Sequence, residues 1–487
     1  MKDASPRRQG SGLPDEESLR PPLVTVYIPT HNYGRFVERA IKSVFRQTMK
    51  DWELIVIDDG STDDTADILK RYEDHPKVRV LHQTKKGLNV SNNIALRLAN
   101  TPYVMRLDAD DFLDENALLV MAQVLTTKPD VGLVYPDYYL VDDQGEVLEF
   151  VRRKKIGSEA KLLDLPAHGA CTMIRKECLL ELGGYSEEFS CQDGYDLWLR
   201  FLRTFKPYNV NVPLFYYTQH EGSLTRDGRR ILETRAAINR GFVRRHKDGA
   251  APKVLAIIPA AKRPPGTPDH AFSLVAGKPL LWHALTQALK ARTLDRVAVA
   301  TDDPEVVRYC RAPAWRKAAV IERPSRLAGA GSHIAPTVIY TLKELLAKRR
   351  YRPEAVMLLY LNSPLRRALH IDMAVDTLTI FDVDSVVSVT EELAYCYHHG
   401  AGGLTPIRRS RDLQIEKKAI FKENGAVLLT RTRAIDRRNF VGRRVGHILM
   451  LPEESIRVKT AFDLWMADRI ASDWLPRSAA RSRSTAR

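Results

Sequence analysis

A cluster of aspartates follows an apolar stretch near residue 108. Tyr103–Leu107 has the composition of a buried strand, and Asp108, Asp110 and Asp111 come directly after it. Crowded carboxylates repel one another unless a cation lies between them. In an extended segment residues two apart face the same side, so Asp108 and Asp110 would converge while Asp111 faces elsewhere. Two oxygen ligands with open coordination positions suit Mg²⁺ or Mn²⁺ bridging substrate phosphates, which indicates a nucleotide-sugar site, although such triplets also occur in solvated turns.

The segments before this cluster alternate short apolar strands with amphipathic helices. Val24–Pro29 and Glu53–Ile57 have the pattern of strands, and Phe36–Phe45 carries apolar residues at helical spacing between them. After the second strand, Ser61 and Thr62 are expected to cap a further helix. This alternation is typical of an α/β sheet covered by helices on both faces.

The second half of the chain repeats the pattern. Val254–Pro259 is a predicted strand, and Arg296–Ala300 is another that runs into Asp302-Asp303. A third predicted strand, Val356–Tyr360, ends near Asn362 without a carboxylate pair. The fold class predicted from both halves is α/β, with two Rossmann-like nucleotide-binding domains in tandem.

Composition shifts and polar stretches suggest the domain boundaries, since 487 residues exceed the usual size of one domain. The predicted parts are a disordered segment at 1–22, a first domain at 23–246, a linker at 247–252, a second domain at 253–475 and a basic disordered tail at 476–487.

The formal net charge of +15 suits anionic ligands, among them nucleotides or a membrane surface. The basic run Arg152–Lys155 has no nucleic-acid-binding motif beside it, so we expect no nucleic-acid partner. The five cysteines form no CxxC pair, which favours a reducing cytoplasm. Residues 1–22 lack the apolar core of a signal peptide, and no apolar run approaches the roughly 20 residues of a membrane span. The expected location is therefore the cytoplasm, with any membrane contact peripheral and at the inner face.

Four motifs give the first half a specific resemblance, because they occur in the order typical of one family. They are Ile28-Pro29-Thr30-His31-Asn32, Val56-Ile57-Asp58-Asp59-Gly60-Ser61-Thr62-Asp63, Leu107-Asp108-Ala109-Asp110-Asp111 and Gln192-Asp193-Gly194-Tyr195-Asp196-Leu197-Trp198-Leu199-Arg200. Residues 23–246 resemble a family 2 glycosyltransferase with a GT-A fold. The resemblance implies a nucleotide-sugar donor and a glycan or lipid-linked acceptor.

The resemblance assigns the donor side of the site. Pro29 and Thr30 would lie beside the nucleoside, and Asp59 would accept a hydrogen bond from the base. Asp110, with Asp108 beside it, would hold Mg²⁺ or Mn²⁺ on the diphosphate. The bound ion would neutralise charge on the departing nucleotide.

The resemblance also assigns the acceptor side. Asp193 would be the general base that deprotonates an acceptor hydroxyl, and transfer in one displacement would invert the sugar's configuration. Asp193 could instead only cap the predicted helix Gly194–Phe205, whose N-terminus favours a carboxylate. His220, in the segment Tyr217-Thr218-Gln219-His220, could reach the metal or a phosphate, or could be a plain surface histidine.

The second half resembles the cytidylyltransferases that activate acidic sugars with CTP. The matching segments are Ile257-Ile258-Pro259-Ala260, Ala276-Gly277-Lys278-Pro279-Leu280, Asp295-Arg296-Val297, Thr301-Asp302-Asp303, Ser363-Pro364-Leu365-Arg366, Asp384-Ser385-Val386-Val387-Ser388-Val389 and Asn424-Gly425-Ala426. This resemblance implies a second nucleotide-binding domain.

The second half departs from that family where phosphate and metal would bind. Its loop after the first strand holds Lys262 and Arg263 but also three prolines, each of which removes an amide donor. Together with Lys278, these two cations are the candidate phosphate contacts. Arg457 and Lys459 stand where the family has metal-binding aspartates, and two cations would repel Mg²⁺.

The function predicted from the sequence is inverting, metal-dependent glycosyl transfer to a glycan or cell-surface polysaccharide. The second domain is predicted to have lost CTP-dependent transfer and to serve in binding, docking or homo-oligomer formation. Two alternatives stay open. One is a bifunctional enzyme that also activates an acidic sugar with CTP, and the other is a non-catalytic scaffold that binds nucleotide sugars.

Overall fold

The computed structural model describes residues 21–156, 169–220, 228–246, 252–328, 333–392, 394–400, 403–407 and 420–475. The predictions for the N-terminal segment, the linker and the basic tail therefore lie almost wholly outside the described residues. The chain divides into two compact units, Met1–Leu224 and Thr225–Arg487. No described helix combines the length and the apolar character needed to cross a lipid bilayer.

The described part of the first unit alternates strands and helices as the sequence predicts. In chain order the elements are β1 (Val24–Thr30), α1 (Gly34–Phe45), β2 (Trp52–Asp58), α2 (Thr65–Leu69), β3 (Val78–His82), α3 (Leu88–Leu98), β4 (Tyr103–Arg106), β5 (Phe112–Leu113), α4 (Ala117–Thr127), β6 (Val131–Val141), β7 (Val147–Val151), β8 (Met173–Arg175), α5 (Lys176–Glu181), α6 (Asp193–Phe201) and β9 (Lys206–Thr218).

One mixed sheet organises the first unit, in the order β3-β2-β1-β4-β8-β6-β9-β5, with β7 paired to β6. Strands β3, β2, β1 and β4 are parallel, so their carboxyl ends lie at one edge of the sheet. Thr30, Asp58 and Arg106 end three of these strands. In open α/β sheets ligands bind outside the carboxyl ends of the strands, so this edge is the expected location of a site.

The second unit begins with a long helix and continues with a second α/β arrangement. In chain order the elements are α7 (Gly228–His246), β10 (Val254–Ala260), β11 (Leu274–Val275), β12 (Lys278–Pro279), α8 (Leu280–Lys290), β13 (Arg296–Thr301), α9 (Pro304–Cys310), β14 (Ala318–Glu322), α10 (Ile334–Arg349), β15 (Ala355–Leu358), α11 (Ala368–Phe381), β16 (Ser385–Glu392), β17 (Tyr397–Gly400), β18 (Gly403–Pro406), β19 (Ile420–Arg431), β20 (Val445–Leu449) and α12 (Ala461–Arg469).

The main sheet of the second unit repeats the parallel half of the first. Its order is β14-β13-β10-β15-β19-β16-β20, and the first four of these strands are parallel. The parallel order third, second, first and fourth strand is thus the same in both units. The predicted α/β fold class with a repeated sheet pattern is confirmed.

Helix α7 belongs to the second compact unit, whereas the sequence placed residues up to 246 in the first domain. Its Ala236 is 1% exposed and lies in the apolar core of the second unit. Its Arg240 contacts Asp372 of α11, with 3.4 Å between nitrogen and oxygen. The division between units therefore falls at 224–225, because this amphipathic helix buries its apolar face on α11.

Candidate active site

The acidic segment forms a turn at the carboxyl edge of the first sheet. Strand β4 ends at Arg106, and the Asp111 amide donates to the Asp108 carbonyl oxygen at 3.1 Å. The Asp111 side chain is fully buried and accepts a hydrogen bond from the Thr218 amide at 2.9 Å. Asp111 thus anchors the turn to β9, while Asp108 and Asp110 keep partly exposed carboxylates.

Asp110 and His220 lie together although they are far apart in the sequence. The Asp110 Oδ2 is 2.9 Å from the His220 Nε2. The His220 side chain is only 5% exposed, and its ring packs against Phe36 with 5.0 Å between ring centroids. His220 is therefore not a surface histidine. The Asp110 backbone carbonyl also accepts from the Thr218 hydroxyl at 2.5 Å, which fixes the turn beside the histidine.

The donor atoms of this turn suit a divalent ion held mainly by a substrate. Among the residues that the structure describes, no group of three or more His, Cys, Asp or Glu side chains is arranged to hold a metal. Mg²⁺ in nucleotide sites usually takes one or two protein carboxylates and completes its shell with phosphates and water. Asp110, Asp108 and the His220 imidazole offer hard and borderline ligands of that kind, so the residues present fit such an ion.

Arg106 connects two of the predicted site residues. Its Nε lies 2.8 Å from the Asp108 Oδ1, and its Nη1 donates to the Asp193 Oδ2. The Arg106 side chain is 5% exposed. Burial disfavours its charge, but the charges of Asp108 and Asp193 outweigh burial and hold the pKa of Arg106 above its ordinary value. The guanidinium therefore holds the two carboxylates on either side of it.

The environment of Asp108 raises its pKa to about 6. Desolvation is the largest cause, although 31% of the side chain is exposed. Arg106 lowers the pKa, and the charges of Asp110 and Asp193 raise it further. This pattern is typical of carboxylates gathered at one site, and such sites are often functional.

Asp193 is the first residue of α6 and is directed at Arg106. Gln192 precedes the helix with a left-handed backbone, φ 61°, and makes no side-chain cap hydrogen bond. The Asp193 side chain is 11% exposed. The helix ends at Phe201, four residues before the predicted end at 205. Asp193 thus has a partner outside its own helix, which pure capping would not require.

Gly169 lies against the same ion pair. A Cβ built on Gly169 would come within 2.9 Å of both the Arg106 Nη2 and the Asp193 Oδ2. That distance is shorter than real Cβ contacts allow, so a side chain at 169 would displace the pair. Neither Arg106 nor Gly169 was among the site residues predicted from the sequence. The available signal was the arginine itself, a charge inside an apolar strand pattern.

The residues predicted beside the nucleoside lie at the carboxyl ends of β1 and β2. The Asp59 carboxylate accepts hydrogen bonds from the amides of Lys86 and Gly87, both at 2.7 Å, and from the Gln83 side chain at 2.8 Å. Asp59 therefore holds the 83–87 segment in place, and its contact with a base stays a prediction. Thr30, which follows Pro29 at the end of β1, has a buried Oγ1 without a hydrogen-bond partner in the described part of the chain.

The three predicted phosphate contacts of the second unit are dispersed. Arg263 pairs with Asp269 at 3.2 Å and lines a cavity at the carboxyl ends of β10 and β15. The Lys262 amide donates to Asp302 at 3.0 Å. Lys278 lies in the β11–β12 hairpin, with its ammonium 5.8 Å from the Trp282 ring centroid. Their binding of phosphate stays a prediction.

Comparison with known proteins shows which families the two halves of the chain resemble. Residues 25–183 match the family model described as glycosyl transferase family 2. This segment is therefore similar to family 2 glycosyltransferases. Residues 255–335 match the family model described as cytidylyltransferase. The predicted resemblance of the two halves to these two families is confirmed.

The chain is similar to proteins of known name. It is 32% identical over 182 residues to chondroitin synthase of Escherichia coli, an alignment that covers 37% of this chain and 26% of that protein. It is also 29% identical over 181 residues to the UDP-Glc:alpha-D-GlcNAc-diphosphoundecaprenol beta-1,3-glucosyltransferase WfgD of Escherichia coli. That alignment covers 37% of this chain and 70% of WfgD. The chain thus spans about a quarter of the length of the synthase.

One solved structure that the chain matches is S. aureus TarS 1-349 in complex with UDP-GlcNAc. The TM-score is 0.39 at 19% identity, covering 45% of this chain and 66% of that chain.

Proposed function

We propose that the first unit is an inverting, metal-dependent glycosyltransferase. It moves a sugar from a nucleotide-sugar donor to a hydroxyl of a glycan or cell-surface polysaccharide, which can be lipid-linked. The observation that carries this proposal is the meeting of Asp108 and Asp193 on Arg106, beside the Asp110–His220 pair, within a family 2 glycosyltransferase domain. The names of the relatives, a polysaccharide synthase and a glucosyltransferase acting on a lipid diphosphate, support these acceptor classes.

The donor side uses the acidic turn. Asp110 and Asp108, with His220, would hold Mg²⁺ or Mn²⁺, which when bound would supply positive charge against the leaving nucleotide. Pro29 and Thr30 line the nucleoside, and the buried Thr30 Oγ1, which has no hydrogen-bond partner among the described residues, would bond a ligand hydroxyl or phosphate. Asp59 organises the 83–87 segment beside the base.

The acceptor side uses Asp193 as general base. Its carboxylate takes the proton of the acceptor hydroxyl while that oxygen forms a bond to the anomeric carbon. The bond from the anomeric carbon to the donor phosphate oxygen breaks on the opposite face, so one displacement inverts the sugar. Arg106 donates to the Asp193 carboxylate and acts as a positioning residue that orients it.

A donor screen tests this function. Purified chain is incubated with a panel of nucleotide sugars that begins with UDP-glucose, with Mn²⁺ or Mg²⁺ and glycan or lipid-diphosphate acceptors, and products are identified by mass spectrometry. Product whose anomeric configuration is opposite to that of the donor supports the proposal. Retention of configuration contradicts the assigned mechanism, and binding of donors without turnover favours the scaffold alternative.

We propose further that the second unit has lost CTP-dependent transfer. The support is Arg457, which lines the cavity of this unit at a place where the resembling enzymes have a metal-binding aspartate. Pyrophosphate release from the whole chain with CTP, Mg²⁺ and a panel of acidic sugars would instead establish the bifunctional alternative. A cytoplasmic location, peripheral membrane contact and a homo-oligomer formed through this unit stay predictions.

A further inference from the structure

A cavity of about 230 Å³ opens at the carboxyl ends of β10 and β15, within the second unit. Its lining includes three arginines from separate segments of the chain, Arg263 after β10, Arg323 after β14 and Arg457 before α12. Asn362, after β15, lines the same space. The cavity is smaller than the roughly 300–1,000 Å³ of most ligand pockets, so it suits a compact ligand or part of a larger one.

The charges of this cavity favour an anion. Two carboxylates lie near its three guanidinium groups. Asp269 pairs with Arg263 at 3.2 Å, and Asp302, which is not part of the lining, lies 3.8 Å from Arg323. A positive surplus therefore remains even when both carboxylates are counted. Arg457 has no ion pair among the residues that the structure describes. Its guanidinium lies beside Gly425, since a Cβ added at Gly425 would be 3.4 Å from the Arg457 Cζ.

Two buried polar atoms of the lining lack partners in the described part of the chain. They are the Nε of Arg323, whose side chain is 4% exposed, and the Oδ1 of Asn362. The two Nη atoms of Arg323 are already held by Leu327, Thr337 and Asp302. A buried donor on a side chain fixed in this way costs free energy unless a ligand or a water satisfies it.

A divalent ion does not suit this cavity, unlike the metal site of the cytidylyltransferases that the second half resembles. Arg457 stands in the lining where a carboxylate would be needed, and Lys459 follows two residues later. At this position a fixed cation would repel Mg²⁺. An arginine can itself take the place of the ion toward phosphate, because its planar fork of donors matches phosphate oxygens and carries the compensating charge.

We propose that this cavity binds a phosphate-bearing small anion without any divalent metal, with Arg457 in the place of the ion. Arg263 and Arg323 complete the cationic surface, and the ligand is a phosphate ester or a diphosphate. The proposal does not depend on the glycosyl transfer assigned to the first unit. It gives the second unit a ligand while accounting for the loss of metal-binding carboxylates.

Calorimetric titration of the whole chain tests this site. The probes are pyrophosphate, cytidine 5′-monophosphate and cytidine, each in EDTA and again in Mg²⁺. We expect the two phosphate-bearing probes to bind in EDTA at least as tightly as in Mg²⁺, and cytidine not to bind. Comparison of pyrophosphate with the nucleotide shows whether the phosphate alone is sufficient.

Charge reversal at Arg457 separates this cavity from general attraction to a basic protein. Arg457→Asp should weaken binding about tenfold or more, because a charged hydrogen bond is lost and a repulsive charge is added. Arg316→Asp changes the charge equally at an exposed position outside the cavity and should bind as wild type. Arg263→Gln provides a second variant from another segment.

The proposal is overturned if neither phosphate-bearing probe binds, if binding requires Mg²⁺, or if Arg457→Asp and Arg263→Gln bind as tightly as Arg316→Asp. Thermal unfolding of each variant shows that the titrated chains are folded.

Discussion

Arg106 and Asp193 form an ion pair between the end of β4 and the start of α6, 87 residues apart in the chain. The same guanidinium also bonds Asp108. In the proposed mechanism, one buried cation therefore orients both the carboxylate beside the donor phosphates and the carboxylate that deprotonates the acceptor. The Arg106 side chain thus sets how far the Asp108 carboxylate lies from the Asp193 carboxylate.

Substitution of Arg106 should show whether this residue positions Asp193 for catalysis or contributes to donor binding. Arg106→Lys keeps a positive charge but cannot bond both carboxylates with one planar group, so we expect kcat to fall at least tenfold with little change in donor KM. Arg106→Met should also lower thermal stability, because Asp108 and Asp193 are left without their cation. Steady-state kinetics and thermal unfolding measure the two effects. Wild-type kcat in the lysine variant would contradict the positioning role.

Asp193→Asn should remove the general base while preserving its shape. We expect kcat to fall by roughly 10²–10⁴-fold, the range typical of general base catalysis, with donor binding retained. Asp130→Asn is the matched control, since its side chain is 62% exposed and pairs only with a surface lysine among the described residues. Mass-spectrometric rate assays compare the two. A near-wild-type rate in the Asp193 variant would show that another group takes the proton.

Asp110→Asn should weaken the dependence on metal. The loss of one carboxylate ligand is expected to raise the Mn²⁺ concentration that gives half-maximal rate by about tenfold, and His220→Gln should act in the same direction. Asp67→Asn, at a side chain that is 78% exposed, is the control. The measurement is transfer rate against added Mn²⁺ after treatment with EDTA. Full activity of the wild type in EDTA would reject the metal.

Asp376 in α11 should make the stability of the second unit depend on pH. It is 4% exposed, and its Oδ2 has no hydrogen-bond partner in the described part of the chain. Burial raises its pKa to about 7, while Arg240 and Arg292 lower it and Asp372 raises it. Between about pH 4 and the folded pKa the native state holds a proton that the unfolded state has released, so stability falls as pH rises through this window.

Asp376→Asn should remove this pH dependence. Between about pH 5 and pH 8 the stability of the variant relative to wild type should rise by roughly 2.5 kcal/mol. Urea unfolding at several pH values measures the difference, with Asp473→Asn, whose side chain is 53% exposed, as control. Parallel curves for wild type and Asp376→Asn would show that this carboxyl titrates normally.

The fold could be predicted from the sequence where the spacing of apolar residues and the polar residues after each strand indicate its elements. Strand β1 is buried along its whole length, and the repeated pattern at 254–259 correctly indicated β10 and a second sheet. Local capping was less predictable. Ser61 and Thr62 do not cap α2, which begins at Thr65, because both bond Asn32 of a neighbouring loop instead.

Contacts between distant segments account for what the sequence could not predict. The ion pair of Arg106 with Asp193 depends on where helix α6 begins, and tertiary packing sets that position. The amphipathic pattern of helix α7 does not say which unit covers its apolar face, so the packing of Ala236 in the second unit required the structure. The resemblance indicated only that His220 could reach the metal or a phosphate, and its contact with Asp110 required the structure.

The absence of a side chain at Gly169 links three positions that share no local sequence. Because a single added methyl group would collide with both partners of the ion pair, alanine at 169 offers a way to disturb the proposed base while leaving every ionisable group of the site in place. Related chains that keep both the arginine and the aspartate should accordingly keep glycine here, and should vary at 169 only when the pair itself is replaced.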